Sequence, residues 1–132
     1  MTTAIENTRT VTLTLNGREV KAAEGQSVLE AARNAGIFVP TLCYHPKLKP
    51  NGSCGLCLVG FEGTPDLYQA CMTPVANRMV VQTESSNIRE GRLAALKVIL
   101  AEHPHACLTC WRRKRCGPFD VCLRNVEVTE RC

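Results

Sequence analysis

Apolar and polar residues alternate along Val11-Thr-Leu-Thr-Leu15, the period of a strand with one buried face. Asn16-Gly17 follows, a pair suited to the two-residue hairpin turn, so Arg18–Ala22 reads as the returning strand. The period then changes. Ser27 with Glu30 three residues on forms a capping box, and Val28, Leu29, Ala32 and Ala35 supply an apolar helical face that Gly36 ends. Further on, Leu56–Glu62, Tyr68–Ala70 and Met79–Gln82 read as three strands whose apolar positions are core. The strongest helical pattern covers Asn87–Glu102: Leu93, Leu96, Ile99 and Leu100 form a stripe, with Arg89, Arg92 and Lys97 mostly off it. Ser86 or Asn87 is positioned to cap this helix and Pro104 to end it. Met1–Thr10 is polar and is expected to fray.

A hairpin with a helix laid across it is the opening of a β-grasp fold, so the expected class is α+β. The chain of 132 residues suits one small domain with an appendage. The expected division is 1–84, a β-grasp domain, and 85–132, a linker helix followed by a Cys/His-rich segment. Charge supports that division. Residues 1–86 carry seven Lys/Arg against seven Asp/Glu, and residues 87–132 carry nine against five, so the second segment holds the whole net charge of +4. No internal repeat or low-complexity stretch interrupts either part.

Nine cysteines are the compositional outlier. The amino terminus has neither a basic start nor an apolar run, and no stretch approaches the ~20 apolar residues that cross a bilayer. The reading is therefore a cytoplasmic chain without membrane insertion, in which thiols stay reduced and ligate metal. An odd number of cysteines also suits complete disulfide pairing badly.

The chemistry concentrates first in Cys43-x10-Cys54-x2-Cys57-x13-Cys71. The intervening loop is rich in Gly and Pro and nearly free of bulky apolar residues apart from Leu48, so a ligand enclosed by it would supply its order. A Cys-x2-Cys pair holds metal from both sides of a tight turn, and Gly52 and Gly55 let backbone N–H groups approach the sulfurs. Ferredoxin-type [2Fe–2S] centres use four thiolates, with a shorter first interval in the plant type. A structural zinc site is the alternative, but zinc commonly takes two Cys-x2-Cys pairs and this loop has one. His45 reads as a neighbour of the site rather than a ligand.

A second set lies at His103-x3-Cys107-x2-Cys110-x5-Cys116. Three thiolates and one imidazole suffice for a [4Fe–4S] cluster, and the neutral imidazole removes a negative charge, which favours the reduced cluster. Between its last two cysteines runs the basic stretch Trp111-Arg-Arg-Lys-Arg115, either a solvated loop or a docking surface for an acidic partner. Trp111 and Phe119 are too few stacking residues to support nucleic-acid binding.

Taken together, Cys43-Tyr-His-Pro, Gly52-Ser-Cys-Gly-Leu-Cys-Leu-Val, Cys71 and the His103 to Cys116 set resemble one family. It is the amino-terminal region of the large iron–sulfur subunit of respiratory complex I, with the matching subunits of NAD-reducing and iron-only hydrogenases and NAD-dependent formate dehydrogenases. The resemblance covers roughly residues 10–122. It implies a β-grasp [2Fe–2S] ferredoxin-like domain ligated by Cys43, Cys54, Cys57 and Cys71. It also implies a [4Fe–4S] cluster on His103, Cys107, Cys110 and Cys116. Three features depart from it: the basic stretch stands where small and acidic residues are usual, Cys122 and Cys132 lie outside the simple motif, and the later cluster domains are absent. Cys122 is thus an alternative fourth ligand, His105 a weaker one, and Cys132 an exposed thiol or a ligand completed by a neighbouring chain.

No Gly-x-Gly-x-x-Gly fingerprint, Walker motif or nucleophile–base set appears, so the chain is read as an electron-relay subunit with no catalytic residues of its own. The resemblance implies a hetero-oligomer with a flavoprotein that reacts with NAD(H) and with a further redox or catalytic subunit. Two other readings stand beside it: an iron–sulfur redox sensor, and a zinc-stabilised interaction protein.

Overall fold

A computed structural model describes residues 9–103 of the chain. Thr10–Leu15 (β1) and Arg18–Ala23 (β2) form the antiparallel hairpin that the alternating pattern requires, with Leu13 opposite Val20 and Leu15 opposite Arg18. The turn is made by Asn16 at φ 51° and Gly17 at φ 80°, the paired positive values that match the twist of the two strands. Val28–Asn34 (α1) follows, then Leu58–Phe61 (β3), Leu67–Gln69 (β4), Val80–Gln82 (β5) and Ser86–Ala101 (α2). The five strands form one mixed sheet in the order β2-β1-β5-β3-β4. Its centre is the parallel pair β1–β5, which seats Thr14 beside Val80 and Leu15 beside Val81. This is the α+β, β-grasp arrangement expected from the hairpin and helix.

Helix α1 begins as the capping box demands. The Ser27 side chain accepts from the Glu30 N–H at 3.2 Å, and the Glu30 carboxylate accepts from the Ser27 N–H at 2.8 Å. Val28, Leu29, Ala31 and Ala32 turn their side chains into the core with Leu13, Leu15, Val59 and Val81. Burying each large aliphatic side chain contributes about 1.5–3 kcal/mol. The α1 backbone is also tied to the strand region, since the Val28 and Leu29 N–H groups donate to the Thr73 and Ala70 carbonyls at 2.8 and 3.0 Å. Thr83 is the one buried polar side chain among the described residues, and Asn16, at the end of the neighbouring strand, satisfies it: its Nδ2 donates to the Thr83 hydroxyl at 2.7 Å.

The chain divides into two units, Met1–Leu96 and Lys97–Cys132, of which 97–103 is the described part of the second. The first turns of α2 belong to the sheet unit, and they pack through a face other than the leucine stripe. Ile88 is buried over Gly60, while a Cβ at Gly91 would stand 2.6 Å from Leu67 Cδ1 and 2.9 Å from Leu58 Cδ1. Arg92, expected off the packed face, lies on it. Its guanidinium donates to the Leu58 carbonyl at 2.7 Å and the Thr83 carbonyl at 2.8 Å, and it pairs with Glu84 at 3.1 Å. Leu93 and Leu96 keep 46% and 41% of their surface exposed instead. The cap differs by one residue as well: the Ser85 hydroxyl, rather than Ser86 or Asn87, accepts from the Ile88 N–H at 3.2 Å.

Candidate metal centre

The four cysteines of the first motif come from three places in the fold. Cys43 lies within the long loop after α1, Cys54 and Cys57 flank the turn that leads into β3, and Cys71 follows β4. The strands do the gathering. Leu58 pairs with Gln69, and the Ala70 N–H donates to the Cys57 carbonyl at 2.9 Å, so Cys57 and Cys71 are drawn together. Their sulfurs stand 3.4 Å apart, both buried against Val59 and Ala70. The Cys54 and Ser53 N–H groups reach back to the Cys43 sulfur, with Gly52 at φ 66° and Gly55 at φ 67° bending the loop.

The electrostatics follow from that crowding. Burial, first, and then the Cys57 thiol and the charges of Cys57, Cys43 and Cys54 push the Cys71 thiol up to about 12. Cys43 moves the other way, held below the ordinary thiol range chiefly by the Cys54 N–H, with Ser53 adding to it against the burial. A bound cation would offset what burial costs the Cys71 thiolate, since metal holds a ligating thiol deprotonated.

Among the described residues, no three His, Cys, Asp or Glu side chains close on one point as a single-ion site would. The sulfurs instead fall into two pairs, Cys57 with Cys71 and Cys43 with Cys54. A [2Fe–2S] centre takes four thiolates, two to each iron, and this donor set fits it.

Neighbouring side chains set the mouth of the loop. Tyr44 donates to Glu30 Oε1 at 3.4 Å, and the Arg33 guanidinium stands 4.6 Å from the centre of its ring while donating to the Thr41 hydroxyl at 2.9 Å. One carboxylate thus both caps α1 and receives the residue after Cys43. His45 is exposed, and its Nδ1 accepts from the Lys47 N–H at 3.2 Å within its own turn, which suits a neighbour rather than a ligand. Leu42, Leu48 and Met72 are exposed around the loop.

Of the second set, His103 is the one member among the described residues; it follows α2 and its N–H donates to the Leu100 carbonyl at 3.3 Å. His105, Cys107, Cys110, Cys116, Cys122, Cys132 and the basic stretch Arg112–Arg115 lie outside the described residues. No helix among the described residues is long and apolar enough to cross a membrane. Sequence reasoning overlooked Arg92 and Gln69 as ties to the site. Arg92 was masked by the leucine stripe beside it, and Gln69 carried no signal beyond standing two residues before Cys71.

Residues 8–86 match the family model described as a 2Fe-2S iron-sulfur cluster binding domain. The mitochondrial NADH-ubiquinone oxidoreductase 78 kDa subunit of Candida albicans is 40% identical over 106 residues, which is 80% of this chain and 15% of that protein. An NADH-quinone oxidoreductase subunit from Rickettsia bellii is 34% identical over 92% of this chain and 18% of its own length. The NADP-reducing hydrogenase subunit HndD of Solidesulfovibrio fructosivorans is 37% identical over 80% of this chain and 19% of its own. The chain therefore spans less than a fifth of the length of these relatives. Among solved structures, the NAD+-reducing [NiFe]-hydrogenase in its H2-reduced state superposes with a TM-score of 0.71 at 34% identity, covering 77% of this chain and 43% of that one.

Proposed function

The chain belongs to the family of 2Fe-2S iron–sulfur cluster binding domains, and from that premise we propose that it is an electron-relay subunit of an NAD-linked oxidoreductase complex. Cys43, Cys54, Cys57 and Cys71 are its [2Fe–2S] ligands. Once bound, the cluster supplies a one-electron centre held in protein. The rest is done by the chain itself: β3 and β4 hold two buried sulfurs together, and the Cys54 N–H stabilises negative charge on the Cys43 sulfur. The observation that carries the reading is the pairing of four cysteines from three elements, with two buried sulfurs 3.4 Å apart.

The remainder of the proposal rests on the residue pattern and on the relatives. His103, Cys107, Cys110 and Cys116 hold a [4Fe–4S] cluster, Cys122 being the alternative to His103. The chain works in a cytoplasmic hetero-oligomer, between a flavoprotein that reacts with NAD(H) and a further redox or catalytic subunit, and makes or breaks no substrate bond itself. Membership of a larger complex is supported by relatives named as oxidoreductase and hydrogenase subunits, proteins several times longer than this chain, while the flavoprotein and the further subunit rest on the resemblance in residue pattern.

Anaerobic purification with iron and sulfide analysis, followed by EPR of the reduced protein, tests the proposal. About six iron per chain with two distinguishable reduced signals is the expected result, and about two iron would confine it to the sheet unit. A colourless, folded protein containing zinc alone would refute it.

A further inference from the structure

Gln69 reaches out of the sheet to hold the cysteine loop. It is the last residue of β4, paired with Leu58, and its own carbonyl accepts from the Thr73 hydroxyl at 2.8 Å and from the Met72 and Thr73 N–H groups at 3.1 Å. The residue is thereby fixed on the turn that presents Cys71. From there its side-chain Nε2 donates to the Gly52 carbonyl at 2.9 Å, across 17 residues of chain. The other hydrogen bonds of residues 45–53 stay within the cysteine loop: Leu48 and Lys47 N–H to His45, Ser53 N–H to Asn51, and Ser53 to the Cys43 sulfur. Among the described residues, the Gln69 bond is the one that joins that stretch to the sheet.

Gly52 has the shape this bond needs. It sits at φ 66°, and a Cβ there would run into Gln69 Oε1 and stand 3.1 Å from Met72 Cγ. The amide therefore lies against bare backbone, on the loop two residues before Cys54, while Gln69 stands two residues before Cys71. One short bond thus connects the loop carrying the Cys43–Cys54 pair to the turn carrying Cys71. The sheet pairs through backbone groups of Gln69 and makes no use of its side-chain amide.

We infer that the Gln69 side-chain amide is a latch, a positioning residue that holds the cysteine loop closed over the metal centre and fixes how far water reaches the Cys43–Cys54 half of it. The inference rests on the [2Fe–2S] reading of the site. Opening the loop alters both the escape of iron and the hydration and hydrogen bonding of the sulfurs, and the second of these changes the electronic state of a bound cluster.

Gln69→Met keeps length and neutrality without the donor, and Gln69→Glu keeps shape while setting an acceptor against the Gly52 carbonyl. The full chain is loaded with iron and sulfide anaerobically. The readouts are the rate of bleaching by an iron chelator, the EPR spectrum and midpoint potential of the reduced [2Fe–2S] centre, and thermal unfolding. Both variants are expected to fold and melt as wild type does, to bleach roughly fivefold faster, the scale of one neutral hydrogen bond, and to give displaced EPR g values. Wild-type bleaching and spectrum in Gln69→Met overturn the latch. So does a melting temperature that falls in step with faster bleaching, or failure of both variants to fold, since either makes Gln69 part of the frame. Iron-free wild-type chain defeats the cluster reading and the latch together; iron-loaded wild type beside an indifferent Gln69→Met defeats the latch alone.

Discussion

Leu29 and Leu48 are the same side chain in opposite settings. Leu29 is fully buried under the sheet, its N–H bonded to Ala70, whereas Leu48 keeps 68% of its surface exposed at the tip of the cysteine loop. The stretches around them differ in the same way. The frame of β1, β2, α1 and β5 is held by an apolar cluster, a paired ladder and a capped helix. The loop from Cys43 to Cys57 contains no strand or helix and holds itself with a few local turns, the Gln69 bond and the contacts among its thiols. The frame is ordered by what it buries, and the loop by what it is built to hold. Stability and cluster binding are then separable properties of one small unit, and substitutions divide between them.

The sharpest break in that comparison is Cys57→Ser. Serine is nearly isosteric but supplies no thiolate, and Cys57 sits 3.4 Å from Cys71, the two cysteines that are also core. The expected outcome is loss or gross disturbance of the [2Fe–2S] EPR signal, with the signal assigned to the second cluster retained. Loss of both signals together would mean that the two sites do not assemble independently.

Leu29→Ala tests the opposite side. Removing a fully buried leucine in contact with the sheet core should cost about 2–5 kcal/mol, read as a lower midpoint in urea unfolding of the iron-free protein. The EPR spectrum of whatever fraction remains folded should keep its g values, because the Leu29 side chain supplies neither a ligand nor a hydrogen-bond donor. A displaced spectrum would show the two stretches to be mechanically coupled. Arg92→Leu is the intermediate case. It leaves the Leu58 and Thr83 carbonyls without their guanidinium donor, for a loss of about 1–3 kcal/mol in the same unfolding measurement.

The same contrast governs what the residue pattern makes legible. The hairpin is legible because Asn16-Gly17 between alternating strands allows few other geometries, and α1 because Ser27 and Glu30 mark its first turn. The four cysteines are legible from spacing and residue type. The packed face of α2 is not. Leu93 and Leu96 form the more obvious stripe, but Gly91 allows a close approach to Leu58 and Leu67 that a hydrophobic pattern does not register, and Arg92 can lie on that face because two backbone carbonyls await it. Gln69 escapes notice for a related reason. A lone glutamine has no signature, and its role emerges once β3 and β4 bring it opposite Gly52.

Leu48→Ser is the smallest change and the most demanding of the comparison. Nothing of the frame rests on this side chain, so unfolding of the iron-free protein should shift by less than about 0.5 kcal/mol. The iron-loaded protein should likewise keep its EPR spectrum, since the loop is held by thiols and by the Gln69 amide and not by apolar contact at its tip. A loss of stability comparable to that of Leu29→Ala would mean that Leu48 is buried in solution. The loop would then be ordered by hydrophobic packing like the rest of the unit, and the contrast between the two leucines would vanish.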